Sequence, residues 1–182
     1  MTKKEIRPEI AVQLVNKEEV DLLVTLARDT FVTAFGHCNK TTDMNQYLNK
    51  HMNATYTLKE MQTKGTFFYF ARLATVSVGY LKLNIDQAQN EPMGSNSLEI
   101  ERIYIEAAYQ GRGIGQQLMD FALMKAKEWQ KATVWLGVWD RNPRAIKIYE
   151  RNGFEHFGSH DFQLGNDLQT DLLMKKELDH AW

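Results

Sequence analysis

The sequence predicts a single α/β domain of mixed helices and strands, and three observations carry that expectation. At 182 residues and 21.1 kDa the chain has the size of one ordinary domain, which buries roughly 70% of its extended-chain surface. Its apolar residues switch several times between helical steps of three and four and the two-residue alternation of strands. No internal repeat, low-complexity tract or long Pro/Gly/Ser-rich linker divides it, and only Pro8, Pro92 and Pro143 punctuate it.

The elements follow in chain order. The run IAVQLV, Ile10 to Val15, reads as a short strand. From Glu18 to about Phe35, Val20, Leu23, Val24, Ala27, Phe31 and Ala34 recur at helical spacing, and Thr42 to Thr63 reads as one or two further helices. TFFYFARL and VSVGYLKLNI are rich in aromatic and β-branched residues and are separated by Ala74 and Thr75, the pattern of a hairpin. DQAQNEPMGSNS gathers Asp, Asn, Pro, Gly and Ser into a loop, after which LEIERIYI alternates as a strand. From Ile114, the residues Leu118, Phe121, Ala122, Ala126 and Trp129, interrupted once by Lys125, predict a helix of about four turns. ATVWLGVW reads as a buried strand that includes Trp135 and Trp139. NPRAIKIYERNG reads as a helix opened by Asn142 and Pro143 and closed by Gly153, and the tail as two strands.

Lys and Arg number 22 and Asp and Glu 23, a formal net charge of −1, with no block of five or more like charges. That balance argues against nucleic acid and against an anionic membrane surface as main partners. The first twenty residues interleave charges with apolar residues and offer neither a signal-like apolar core nor a membrane span, so a cytoplasmic location is the default expectation. One cysteine, Cys38, excludes an intramolecular disulfide. The five histidines lack metal-ligand spacing, and no metal is expected. His37 adjoins Cys38, but adjacency in sequence does not make a nucleophile and its base.

The strongest chemical signal lies at YIEAAYQGRGIGQQLM, where the LEIERIYI strand passes through three glycines into a helix. Such a turn leaves free backbone N–H groups converging on one spot at the positive end of the helix dipole, which suits a phosphate. Gly111, Gly113 and Gly115 permit positive φ and let the backbone approach a ligand with no Cβ in the way. A nucleoside-triphosphate loop is excluded, because Gly111 is followed five residues later by Gln116 with no Lys and Ser/Thr behind it. A dinucleotide fingerprint fits poorly, because the spacing is G-x-G-x-G and the glycines lie two-thirds along the chain.

The run Gln110-Gly111-Arg112-Gly113-Ile114-Gly115 resembles the Q/R-x-x-G-x-G/A signature of the Gcn5-related N-acetyltransferases. In that family the turn wraps the pyrophosphate of acetyl-coenzyme A. Downstream, Asn142, Ala145, Tyr149, Gly153 and Phe154 match a second family motif, N-x-x-A-x-x-x-Y-x-x-x-G-F. SLEIERIYI, WLGVW, LQTDLLMKK and the loop NIDQAQNEPMGS are similar to the PaiA-type spermidine/spermine acetyltransferases of bacteria, over most of the chain from about Phe67 onward. The resemblance implies a mostly antiparallel mixed sheet of about seven strands flanked by helices and splayed at the acetyl-coenzyme A strand. It implies acetyl-coenzyme A as co-substrate, held by Ile103, Tyr104, Ile105, Gln110 to Gln116 (Gly111, Arg112, Gly113, Ile114, Gly115 between them), Asn142, Ala145 and Tyr149. It also implies direct acetyl transfer to a small-molecule amine, first of all a polyamine. A protein N-terminus, an aminoglycoside, or a coenzyme A sensor without turnover are the alternatives, and a homodimer is left open.

Amide formation from a thioester needs an uncharged amine, a polarised carbonyl and a proton for the leaving thiolate. Strand alternation in LEIERIYI predicts Glu99, Glu101, Ile103 and Ile105 on one face. Glu101 is the first candidate for base and Glu99, which matches the base of the family's histone-modifying members, the second. Either is alternatively an anchor, since a carboxylate near pKa ~4.3 is a poor base for an amine near ~10 unless burial raises it. By resemblance Tyr149 protonates the departing thiolate. Asn142, two helical turns before it, reads as a helix cap, a pantetheine contact, or both. Arg112 reads as a surface or phosphate-facing cation, and Asp86 and Glu91 in the preceding loop are candidates to meet a cationic acceptor.

Overall fold

The computed structural model describes residues 8–178. The first half holds β1 (Ala11–Leu14), α1 (Val20–Phe35), α2 (Thr41–His51), α3 (Ala54–Gln62), β2 (Thr66–Leu73) and β3 (Val76–Ile85). The second holds β4 (Ser97–Ile105), α4 (Ile114–Glu128), β5 (Thr133–Trp139), α5 (Pro143–Arg151), β6 (Glu155–Leu164) and β7 (Asp167–Glu177). All seven strands form one sheet in the order β1-β2-β3-β4-β5-β7-β6. Every pairing is antiparallel except β4 with β5. The helix-flanked mixed sheet expected from the sequence is what the chain forms.

Local chemistry sets the boundaries. Asn53 caps α3 by accepting the Tyr56 N–H at 2.9 Å, and Asn142 caps α5 by accepting the Ala145 N–H at 3.1 Å, with Pro143 in the first turn. Each face of the sheet carries its own core. Leu81, Leu83, Leu98 and Ile100 pack under Leu118, Met119 and Ala122 of α4 on one face. Phe68, Phe70 and Tyr80 pack under Leu23, Leu26 and Phe31 of α1 and Met44 and Leu48 of α2 on the other. Burying each such large apolar side chain contributes about 1.5–3 kcal/mol. Among the described residues no helix is long and apolar enough to cross a membrane.

Two irregularities position the site. β4 and β5 pair only through Ser97–Thr133, Leu98–Val134 and Glu99–Trp135 and then part. The sheet is therefore open along Ile100–Ile105 and Leu136–Trp139, and among the described residues the β5-facing backbone edge of that part of β4 has no strand partner. The second irregularity is a bulge, since Lys82 pairs with Arg102 but the next residue, Leu83, pairs with Ile100. Glu101 is the extra residue, and it breaks the alternation.

The bulge corrects the expected facing. Glu99 and Glu101 do share a side, since both accept from the Asn84 amide, at 3.0 and 2.6 Å. Ile103 and Ile105 do not join them, but pack into the core under α4. Tyr104 takes their place on the α1 face, stacked on Tyr80 at 5.7 Å. The cause is tertiary: buried Lys82 and Arg102 must both lie on the α1–α3 face to reach Glu60, and an extra β4 residue permits it.

Candidate active site

The turn between β4 and α4 is built to receive an anion. Gly111 and Gly113 have φ of +77° and +81°, which disfavours any other residue there, and Gly113 is the left-handed N-cap of α4. Among the described residues no side chain caps this helix end, and the N–H of Gln117 is the donor to the Gly113 carbonyl, at 3.2 Å. The N–H groups of the preceding turn are thus left for a ligand. A Cβ on Gly111 or Gly115 would meet no atom within 4 Å, so the cradle is open above both. A cavity of about 250 Å³ lined by Asp29, Thr30, Thr33 and Glu106 to Ala108 adjoins the end of β4. Together with the free edge of β4, this fits an extended diphosphate-bearing thioester.

The flanking residues divide into framework and lining. Gln110 donates to the Ile105 carbonyl at 3.0 Å and so fixes the turn to the end of β4. Gln116 is engaged with Asn152 at 2.7 Å and Asp120 at 2.9 Å, joining α4 to the end of α5. Ile114 is buried in the core, and the Arg112 guanidinium lies 5.3 Å from the Tyr109 ring centroid. Ala145 and Tyr149 pack on the α4-side core. Among the described residues the Tyr149 hydroxyl has no hydrogen bond, and burial pushes this phenol up to about 12.

Glu101 sits in a closed network of charges. Its carboxylate meets Lys82 Nζ at 2.6 Å and the Arg102 guanidinium at 3.1 Å. Glu60 of α3 meets the same two cations at 2.5 and 3.0 Å. Burial alone would raise the Glu101 carboxyl, but Arg102 and Lys82 override it and hold it at about 2. Glu99 differs. Burial, then the neighbouring Glu101 charge, raises it, while both its oxygens accept hydrogen bonds, from Asn84 at 3.0 Å and from Asn90 N and Nδ2 at 3.0 and 2.7 Å. Only 3% of it is exposed. Asn90 belongs to the loop between β3 and β4, so Glu99 ties that loop across the sheet, beside the bond from Trp135 Nε1 to Gln89 at 2.7 Å.

On the α1 side of the opening the walls are aromatic. Phe35 meets Tyr104 of β4 and Trp139 of β5 at 6.3 and 6.0 Å, so Trp139 lines the cleft rather than the core. Tyr47 stacks on Phe31 at 4.9 Å and meets Phe162 at 5.4 Å. Beyond them stand charged groups from three further segments. Glu91 Oε1 lies 2.7 Å from His160 Nδ1, and His160 Nε2 lies 3.8 Å from Asp171 Oδ2. Asp86 is not part of this group: it pairs with Lys131 at 2.9 Å at the closed end of β4 and β5. His160 and Asp171 were missed in the sequence because nothing local marks them. His160 lies 69 residues from Glu91, and only the β6–β7 register brings it opposite Asp171. Cys38 is exposed near Asn39, Lys40 and Asn166.

An open sheet with a glycine-lined anion cradle at its parted strands is the arrangement of an acyl-coenzyme A-using transferase, and the comparisons agree. The family model described as the acetyltransferase (GNAT) family matches residues 24–154, and the chain belongs to that family. Over 169 residues it is 44% identical to an uncharacterized N-acetyltransferase in the pepI 3′ region of Lactobacillus delbrueckii subsp. lactis, covering 92% of this chain and 98% of that one. Over 102 residues it is 27% identical to a spermine/spermidine N(1)-acetyltransferase of Bacillus subtilis, covering 56% and 63%. Its fold is similar to that of a PaiA N-acetyltransferase from Thermoplasma acidophilum in complex with coenzyme A, with TM-score 0.77, 19% identity, and 93% and 99% coverage. The chain is an N-acetyltransferase, and its acetyl donor is acetyl-coenzyme A.

Proposed function

We propose that this N-acetyltransferase acts on a primary amine of a polyamine such as spermidine or spermine. The observation that carries the reading is the cleft on the α1 side, where aromatic walls lead to the Glu91 and Asp171 carboxylates. Aromatic faces and carboxylates both attract an alkylammonium. A polyamine keeps a second cation after its reacting nitrogen has lost its proton, so it alone among simple amines uses both features. Acetyl-coenzyme A supplies the activated acetyl group. The α4 N-terminus, with Gly111 and Gly115, holds the diphosphate, and the unpaired edge of β4 at Ile103 to Ile105 aligns the arm. Tyr149 keeps its proton through the neutral range and delivers it from the hydroxyl oxygen to the departing sulfur. Glu101 and Glu99 are anchors, the first for the bulged strand and the second for the loop that carries Glu91.

The test is thiol release from acetyl-coenzyme A over a panel of spermidine, spermine, a monoamine, an aminoglycoside and a peptide with a free N-terminus. The expected result is a kcat/KM for spermidine at least about tenfold above the monoamine, a difference of ~1.4 kcal/mol from the second ammonium. Preference for the peptide or the aminoglycoside would overturn the polyamine reading and leave the acetyltransferase intact.

A further inference from the structure

Amine acetylation needs a group to take the ammonium proton, and neither buried carboxylate offers a free, basic oxygen. Glu101 is ion-paired to two cations, and Glu99 accepts three hydrogen bonds. A different group stands at the opening. Gly137 lies on β5 two residues past Trp135, the last residue paired to β4. It faces the side of the sheet shared with Trp135 and Trp139. A Cβ placed on it would sit 3.6 Å from both His160 Nε2 and Asp171 Oδ2. The absent side chain therefore leaves a space that these two atoms border.

We propose that His160, oriented by Glu91, is the general base of the reaction, a role resting on amine acetylation and not on which amine is used. A carboxylate oxygen only accepts, so the 2.7 Å contact with Glu91 places the imidazole hydrogen on Nδ1. Nε2 then carries the lone pair. Its distance of 3.8 Å from Asp171 is beyond hydrogen-bond length, and Nε2 borders the space over Gly137. The charged groups around the ring are Glu91 from the loop, Asp171 from β7 and, through its effect on Asp171, Asp140 after β5. All are acidic. Histidine is the side chain suited to exchanging a proton near neutrality.

The step balances. The acceptor R–NH₃⁺ gives one proton to Nε2, and its nitrogen forms the new C–N bond as the thioester C–S bond breaks. The remaining surplus N–H proton passes from the nitrogen to solvent as the sulfur takes one from Tyr149, and Tyr149 regains a proton from solvent. His160 returns its proton to solvent past Asp171, so one proton is released per turnover.

His160→Asn keeps a donor toward Glu91 and removes the lone pair. With spermidine as acceptor, from about pH 6 to about pH 9, kcat should fall by about 10²-fold. The KM for acetyl-coenzyme A should stay unchanged, and the acid limb of the profile should disappear. Gly137→Val, which fills the space, should lower kcat similarly with Tm preserved. A His160→Asn protein with kcat within about threefold and the same acid limb would reduce His160 to a latch for the loop and overturn the proposal. A readout free of turnover comes from ¹⁵N spectra of the histidine-labelled protein at about pH 8. An Nδ1–H tautomer is expected for His160, and an Nε2–H tautomer would overturn the base role. Should wild-type protein release no thiol with spermidine, the polyamine reading fails. His160 is then judged by its tautomer and on whichever amine of the panel is turned over.

Discussion

At Glu101 two cations and an amide surround one carboxylate, and this determines how mutations at the site separate chemistry from architecture. Glu101→Gln removes the charge between Lys82 and Arg102 and leaves Glu60 as their single counterion, a loss of roughly 3 kcal/mol in stability. The acid limb of the kcat profile should not move in that variant; if it moves, Glu101 titrates in catalysis and the anchor role is wrong. Tyr149→Phe gives the opposite pattern. Phe conserves the packing against Phe154, 6.0 Å away, so Tm should change little, while kcat falls by about 10²-fold at unchanged acetyl-coenzyme A affinity. Unaltered turnover would leave Tyr149 as packing alone.

Among the elements, α4 offers the cleanest separation of fold from binding. Gly113 has φ of +81°, so any substitution there strains the turn, whereas Gly115 lies inside the helix with open space beyond its Cα. Gly115→Glu should fold normally and place a carboxylate over the helix N-terminus. Wild-type protein at acetyl-coenzyme A about 100-fold above its Kd should gain ~2.7 kcal/mol, a Tm rise of roughly 5–10 °C, and Gly115→Glu should show none. An undiminished rise would move the diphosphate elsewhere. This turn was legible in the sequence because three glycines between a strand and a helix form a local pattern. So were the helices and strands, whose apolar periods are local too. The Glu101 bulge was not, because LEIERIYI alternates without a break and the irregularity comes from Lys82 and Arg102 both reaching Glu60 on α3. Glu91 could be flagged as an acidic loop residue, but its partner His160 lies on a strand whose pairing no local pattern announces.

For the molecule as a whole, the sheet separates two cores and carries its ionised groups in opposite electrostatic settings on one face, so acid should act on them in opposite directions. Glu101 is held at about 2 in the folded state, below the ~4.3 of an unfolded glutamate. Its contribution to stability is thus fully present above about pH 4.3 and lost as the pH falls toward about 2. Glu99 and Asp171 are both raised, chiefly by burial. The folded protein binds their protons more tightly than the unfolded chain does, so their contribution is present at low pH and is lost as the pH rises through the raised values. Denaturant midpoints measured across this range should therefore steepen downward below about pH 4 in wild-type protein. In Glu101→Gln that acid slope should flatten while the protein is less stable at neutral pH. In Glu99→Gln the acid slope should persist, and the decline on the alkaline side of about pH 4.3 should shrink. An acid slope unchanged by Glu101→Gln would mean that Lys82 and Arg102 do not hold this carboxylate ionised, and with it would go the reason for assigning the proton to His160 instead.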